Sequence, residues 1–237
     1  VYDFRQNDLK YGGQGAPLAP IFHKLLVRKF NLEKPLAILN IGGIANATFI
    51  NKNNKIFSSD IGPGNCLIDQ WVKSHSKQNY DEKGFLAKSG KIKNKFLHII
   101  FNNVLIDKGK SSFDINDFSL SFLKKKMSLK DGAATITEFT ALVLSKYIIK
   151  YLRTKHKILN ILVCGGGRKN KFLLNRVSKI TKLKVIPIDK FGVKGDFVES
   201  QAFAYLATRS YFKLPISFPE TTGCKKPCIG GVVVKNF

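Results

Sequence analysis

An aspartate beside a glycine-rich turn is the feature of this 237-residue chain best suited to chemistry. Asp60 closes a strand-like run, and Gly62-Pro63-Gly64-Asn65 then turns the chain into an apolar, helix-like segment. The first N–H groups of a helix lack intrahelical partners, and the missing Cβ atoms at Gly62 and Gly64 would let a phosphate approach them. A carboxylate beside a phosphate is repelled by it, so we expect Asp60 to take a proton from an attacking group. The alternative is that Asp60 only caps a helix after an ordinary turn.

Two further glycine clusters strengthen the chemical interpretation. The segment LAILNIGGIANATFI, residues 36–50, predicts a hairpin of two buried strands with Gly42 and Gly43 at its tip. The segment ILNILVCGGGRKNKFLL, residues 158–174, predicts a buried parallel strand that enters the turn Gly165-Gly166-Gly167 and continues as a helix. Because nucleotide phosphates bind at such strand-to-helix turns, the sequence predicts a nucleotide site, with a plain structural turn as the alternative.

The elements that must position these residues alternate between strand and helix. We predict three strands within residues 36–59 and two more at 159–164 and 184–188. The predicted helices cover residues 19–28, 65–74, 94–106, 116–126, 133–152, 170–180 and 198–210. This order predicts an α/β fold, a mixed sheet with flanking helices and functional turns at one edge.

Three motifs together resemble those of the anhydro-N-acetylmuramic acid kinases in order and spacing. They are N-I-G-G-I-A-N at 40–46, D-I-G-P-G-N at 60–65 and V-C-G-G-G-x-x-N at 163–170. The resemblance continues in D-F-R at 3–5, G-G-Q-G-A-P-L at 12–18, Y-D at 80–81, A-A-T-I-T-E-F-T-A at 133–141 and G-D-F-V-E-S-Q-A-F-A-Y-L-A at 195–207. These kinases belong to the sugar kinase, actin and Hsp70 group. The resemblance therefore implies an actin-like, ribonuclease H-like ATPase lobe that uses ATP and Mg²⁺.

The resemblance also implies a reaction and a set of site residues. The reaction opens the anhydro ring of 1,6-anhydro-N-acetylmuramic acid, a recycled cell-wall amino sugar, with water and phosphorylates its 6-oxygen. Asp60 would be the catalytic base, and Arg5 and Glu199 would contact the sugar. The residues expected to contact ATP are Gly62, Gly64, Asn65, Gly165, Gly166, Gly167 and Asn170, the last as the cap of the following helix. Alternatives are an ion pair of Arg5 with Asp3 or Asp8, and a helix-dipole role for Glu199.

The family's first-lobe loop G-T-S-x-D-G and its H-G-Q-T segment are not in this sequence, which opens on Val1 directly before D-F-R. We therefore expect the carboxyl-terminal portion of a longer or split kinase, with residues 1–20 as an inter-lobe connector and 21–237 as the second lobe. A first-lobe chain is an expected partner, and the family implies a homodimer. The family's K-S-T-G-R-E motif reads K-S-S-F-D here, at 110–114. The competing hypothesis is an inactive kinase remnant or binding module.

Charge and composition limit the remaining function classes. The net charge is +24, yet only six of the 40 basic residues are arginine, which specific base and phosphate recognition favours. We therefore expect a lysine-rich surface and no specific nucleic-acid partner. No apolar span long enough for a membrane helix occurs, and we expect a cytoplasmic protein. Four cysteines are too few for a disulfide framework, and no second ligand pair follows Cys224 and Cys228, so no metal site is expected.

Overall fold

The computed structural model describes residues 1–104, 113–123, 127–153 and 159–234. Five strands form one sheet in the order β3-β2-β1-β4-β5. The strands are β1 (Leu36–Ile41), β2 (Ile44–Ile50), β3 (Ile56–Pro63), β4 (Asn160–Cys164) and β5 (Lys184–Pro187). The first three strands pair antiparallel, and β4 and β5 run parallel to β1. The predicted mixed, ribonuclease H-like sheet is confirmed.

Helices flank this sheet at nearly all the predicted positions. They are α1 (Gln6–Lys10), α2 (Pro20–Lys29), α3 (Cys66–His75), α4 (Phe85–Ser89), α5 (Asn94–Asn103), α6 (Leu129–Arg153), α7 (Lys171–Thr181), α8 (Val198–Tyr211) and α9 (Pro219–Thr222). Short 3₁₀ turns lie at Glu82–Gly84, Ile115–Asp117, Gly166–Lys169, Ile188–Phe191 and Gly195–Phe197. None of the helices that the structure describes is long and apolar enough to span a bilayer.

Both faces of the central strand β1 are buried, which explains why all its residues except Asn40 are apolar. Successive side chains of a strand point to opposite faces. Leu39 accordingly packs in one core cluster with Phe139 of α6, and Ile38 packs in a second cluster with Phe22 of α2. These two layers of helices hold the loops at the carboxyl ends of β1 and β4 in place.

The predicted helix over 116–126 is wrong in the part of it that the structure describes. Only the 3₁₀ turn Ile115–Asp117 forms, and residues 118–123 are not helical. The Asp114 carboxylate accepts a hydrogen bond from the Asn116 N–H, and the Leu120 N–H donates to Gln70 Oε1 on α3. These side-chain bonds replace the helical ones. Residues 124–126, like residues 105–106 at the end of the predicted helix 94–106, lie outside the described residues.

Residues 1–20 pack directly against the same lobe. Phe4 and Leu18 contact a small apolar cluster with Leu206 and Ile216. An antiparallel bridge joins Tyr2 to Val232 near the other end of the described chain. The connector assignment for residues 1–20 stays a prediction.

Candidate active site

A cavity of about 480 Å³ lies where β1 and β4 end, and it brings together five of the predicted site residues. Those five are Arg5, Asp60, Gly165, Gly166 and Glu199. They come from four separate segments: the residues before α1, strand β3, the turn after β4 and the first turn of α8. The other five predicted residues, Gly62, Gly64, Asn65, Gly167 and Asn170, do not line this cavity.

Asp60 lies inside strand β3 rather than at its end, because β3 continues to Pro63. It pairs with Asn46 of β2, and its side chain is only 9% exposed. The Phe113 N–H donates to Asp60 Oδ2 over 3.0 Å. The N-cap of α3 is Asn65, so the interpretation of Asp60 as a helix cap is wrong. A buried, oriented carboxylate in a polar cavity is suited to general-base chemistry.

The N–H groups of the turn after Asp60 are hydrogen-bonded, whereas the sequence predicted that they would be unpaired. Gly64 N and Asn65 N donate to the carbonyls of Gly43 and Gly42, each over 2.8 Å, and Cys66 N donates to Gly43 O over 3.2 Å. A Cβ at Gly64 would overlap the Gly42 carbonyl oxygen. The expectation that these N–H groups are unpaired is therefore wrong, since they fix the hairpin tip to the start of α3. Phosphate binding by Gly62, Gly64 and Asn65 stays a prediction without this support.

The three glycines after β4 serve two purposes. Gly165 has a φ of 75°, and a Cβ there would collide with Asn40 and Ile41; a Cβ at Gly167 would also collide with Ile41. At Gly166, by contrast, the nearest atom is Asn65 Nδ2 at 3.8 Å, which is an ordinary contact distance. Packing against β1 therefore requires two of the glycines, whereas Gly166 leaves room beside the cavity for a ligand.

Asn170 caps the following helix, as the sequence predicted. Its Oδ1 accepts a hydrogen bond from the Leu173 N–H over 2.9 Å at the start of α7. The side chain is thus engaged with the backbone, and contact with ATP stays a prediction.

Arg168 is a buried residue of the glycine turn that the sequence analysis did not single out. Its guanidinium donates to Gly165 O over 3.0 Å, to Asp189 Oδ2 over 2.8 Å and to Asp196 Oδ1 over 3.0 Å. The hydrogen bond from Arg168 is the main reason why the pKa of Asp196 lies well below its usual range. One side chain therefore joins the glycine turn to the loop that leads into α8 and Glu199.

Two further residues of the cavity wall were missed. The Asn46 Oδ1 atom is buried, and the described part of the chain gives it no hydrogen-bond partner. His23 bonds to Thr48 Oγ1 through Nδ1 over 2.8 Å, and complete burial lowers its pKa to about 4. His23 is therefore neutral at physiological pH. The motif N-I-G-G-I-A-N contained the signal for Asn46, since this residue pairs with Asp60 on the neighbouring strand and lines the same cavity.

The two predicted sugar contacts differ in what supports them. No carboxylate of the described residues lies within 4.0 Å of the Arg5 guanidinium, so the proposed ion pair with Asp3 or Asp8 is not present there. Glu199 stands in the first turn of α8, where a helix-dipole role and a ligand role both fit. Of the altered motif at 110–114, Phe113 and Asp114 line the cavity, and residues 110–112 lie outside the described residues.

The sheet, the glycine turn and the buried acid in one cavity define a ribonuclease H-like α/β lobe with a candidate group-transfer site. The profile of the family named anhydro-N-acetylmuramic acid kinase matches residues 1–236, and the chain belongs to this family. The anhydro-N-acetylmuramic acid kinase of Pelagibacter ubique (strain HTCC1062) is 51% identical over 246 aligned positions, which cover 100% of this chain and 65% of the relative. The Zymomonas mobilis kinase of the same name is 40% identical, over 98% of this chain and 62% of its own length.

Solved structures with similar chains are more distant. An activator of the 2-hydroxyisocaproyl-CoA dehydratase from Clostridium difficile with bound ADPNP is 15% identical, with a TM-score of 0.47, over 78% of this chain and 67% of that chain. A ligand-bound xylulose kinase from Lactobacillus acidophilus is 13% identical, with a TM-score of 0.45, over 76% of this chain and 41% of that chain.

Proposed function

We propose that this chain forms the second lobe of an ATP-dependent kinase that acts on 1,6-anhydro-N-acetylmuramic acid. The observation that carries the proposal is that Asp60, Arg5, Glu199 and Gly166 line one cavity although they are far apart in sequence. The chain spans less than two thirds of the length of the curated relatives described above. We propose that residues 1–20 connect this lobe to a first lobe that contributes the rest of the site.

Three of the cavity residues have roles in this reaction. Asp60 accepts a proton from a water that attacks the anomeric carbon of the sugar, while the bond from that carbon to the 6-oxygen breaks. The freed 6-oxygen takes the γ-phosphoryl group of ATP. The Arg5 guanidinium faces the lactyl carboxylate, to which it can donate two parallel hydrogen bonds. Glu199 accepts a hydrogen bond from the sugar.

The residues present fit ATP better than they fit a dedicated metal cage. Gly166 leaves open space beside the cavity, and Gly165 presents its backbone there. In the described ranges, no three potential ligands within 4.8 Å of one another occur in this cavity. Mg²⁺ usually keeps several waters and is bound by phosphates and one or two carboxylates, for which Asp114 is a candidate in this cavity. The ion would supply charge neutralisation of the transferring phosphoryl group.

The substitution Asp60→Asn tests the proposal. The protein to assay is the longest natural polypeptide that contains this sequence. The amide cannot accept a proton, so we expect kcat for the anhydro sugar to fall roughly 10²- to 10⁴-fold, with ATP binding retained. The measurement is phosphate transfer from labelled ATP, with nucleotide binding followed by calorimetry.

Asp69→Asn is the matched control. Asp69 is a carboxylate of α3 outside the cavity, and its replacement by Asn is the same isosteric change of carboxylate to amide as at Asp60. We expect this variant to keep near-normal turnover. A near-normal kcat in Asp60→Asn as well would refute the role of Asp60 as base. Wild-type protein that binds ATP without any turnover would favour the inactive remnant or binding module.

A further inference from the structure

Three buried side chains form a cluster away from the candidate active site. Asp8 of α1 meets Cys224 and Cys228, which follow α9, and the ligand atoms of all three lie within 4.8 Å of one another. Their exposed fractions are 1%, 1% and 2%. The cluster thus joins the first helix of the chain to a segment more than 200 residues away in sequence.

The Asp8 carboxylate has hydrogen bonds but no cationic partner. Its Oδ2 accepts from Gly15 N over 2.7 Å, and its Oδ1 accepts from the Thr222 hydroxyl over 2.6 Å. No lysine or arginine nitrogen within the described part of the chain lies within 4.0 Å of it. A buried carboxylate is costly unless a cation or metal compensates its charge. The two hydrogen bonds resemble those that orient a metal-binding carboxylate.

The two thiols converge on the same point. Cys224 Sγ and Cys228 Sγ both donate to the Lys226 carbonyl oxygen, over 3.1 and 3.0 Å. Ser217, which is bridged to Cys228, has a fully buried hydroxyl that lies next to the Cys228 thiol. A buried hydroxyl thus joins two thiols and a carboxylate in one polar cluster inside the protein.

We propose that Asp8, Cys224 and Cys228 bind a thiophilic divalent cation, for which Zn²⁺ is the probe. Zinc takes thiolates at about 2.3 Å and carboxylate oxygens at about 2.0 Å in a tetrahedral arrangement, which sets ligand atoms roughly 3.3 to 3.8 Å apart. The cluster needs only small side-chain adjustments to reach that spacing. The fourth position is left to a small ligand such as water, beside the Ser217 hydroxyl. Sequence spacing could not reveal this site, because Asp8 is contributed by the far end of the chain.

The bound ion would fix α1 against the segment that follows α9. Since Arg5 directly precedes α1, the site would also hold the guanidinium at its place in the cavity. The proposal does not depend on the kinase function.

The test is a titration of the reduced, metal-free protein with Zn²⁺ and with Co²⁺. We expect one ion per chain, a sulfur-to-cobalt charge-transfer band and a rise in the thermal unfolding temperature on adding Zn²⁺. Cys224→Ser and Cys228→Ser should each weaken Zn²⁺ binding at least about 10²-fold and remove the band, and Thr222→Val should weaken binding about 10- to 100-fold. Circular dichroism establishes that each variant is folded.

Cys66→Ser is the control, because Cys66 is a half-buried cysteine of α3 outside the cluster. It should bind Zn²⁺ like the wild type. Absence of stoichiometric binding by the folded wild type would overturn the proposal, as would equal binding by Cys224→Ser and Cys66→Ser. Formation of a Cys224–Cys228 disulfide without Zn²⁺ binding by the reduced protein would also overturn it.

Discussion

The burial of His23 in the cavity wall makes the stability of the protein depend on pH. The imidazole is 1% exposed and bonds to Thr48, which in turn lies 3.3 Å from the Ser58 hydroxyl. Burial lowers its pKa from 6.5 to about 4, because the charged form cannot be solvated there. The folded protein therefore keeps a neutral histidine over a pH range in which the unfolded chain would protonate it.

This shift predicts a loss of stability in mild acid. Between about pH 6.5 and pH 4 the unfolded chain binds more protons at His23 than the folded protein does, so the free energy of unfolding falls as the pH falls. The contribution of His23 is complete above pH 6.5, and about 3 kcal/mol of it is lost by pH 4. Urea unfolding at a series of pH values measures this loss.

The His23→Asn variant isolates the effect, because an amide can keep the bond to Thr48 but does not titrate. Asp69 acts in the opposite direction between pH 3.8 and about 6, since burial raises its pKa and favours the protonated folded state. The informative quantity is therefore the difference in slope between wild type and variant. We expect the variant to lose the His23 part of the slope, and the exposed control His98→Asn to keep it. Identical slopes for wild type and His23→Asn would contradict the assignment.

At the level of elements, the turn after β4 depends on Arg168 for its shape. The guanidinium connects this turn to Asp189 in the 3₁₀ turn Ile188–Phe191 and to Asp196 in the turn before α8. Its side chain is 5% exposed, whereas the two carboxylates are about half exposed. The arginine thus orders two loops and a glycine turn that packing alone does not join.

We expect Arg168→Met to lower the free energy of unfolding by about 1 to 3 kcal/mol. Removing one partner of a buried ion pair usually costs more, but solvent can reach both aspartates and partly replaces the lost bonds. ATP binding should weaken about tenfold, because the turn loses its fixed position. Denaturant unfolding and calorimetry measure the two quantities.

Lys169→Met is the matched control, since Lys169 forms an exposed ion pair with Asp196 over 2.7 Å. Such pairs contribute about 0 to 1 kcal/mol, so both stability and ATP binding should stay close to those of the wild type. If Arg168→Met were as stable as Lys169→Met, the hydrogen bonds of Arg168 would not be what stabilises the turn.

The regular elements could be predicted from sequence because their patterns are local. The helix α6, the hairpin around Gly42 and the strand before Gly165 all follow from apolar periodicity and glycine position. Contacts between distant segments could not be predicted. The partners of Arg168 lie 21 and 28 residues further along, and the Gly64 N–H donates to the carbonyl of Gly43 at the hairpin tip. The error over residues 118–123 has the same origin, since Gln70 of α3 accepts the Leu120 N–H that a helix would use.

For the whole molecule, the proposed function implies that the 237-residue polypeptide assayed as such transfers little phosphate. Phosphoryl transfer depends on positioning and charge stabilisation, and this sequence lacks the family's G-T-S-x-D-G loop. ATP bound by this lobe alone would keep its γ-phosphate mobile and solvated. A kinase assay with the anhydro sugar, ATP and Mg²⁺ measures the rate.

Adding a polypeptide that carries the first-lobe loop should raise that rate if the two pieces dock. The control is the same addition to the Asp60→Asn chain, which should stay inactive. Robust turnover by the 237-residue polypeptide alone would show that it positions the phosphates of ATP without a first lobe.

The central place of β1 also sets the order in which the molecule assembles as it folds. Strands β1, β2 and β3 form a meander from neighbouring residues, whereas the pairing of Leu36 with Asn160 must close a loop across the long helix α6. Local pairs form sooner, because closing a long loop costs more entropy. Pulse-labelled hydrogen exchange should therefore protect β2 amides before β4 amides, and simultaneous protection would contradict this order. Asp60 is then placed in its sheet early, and the glycine turn after β4 forms only when β4 pairs with β1. The proposed nucleotide site would therefore be complete only at the end of folding.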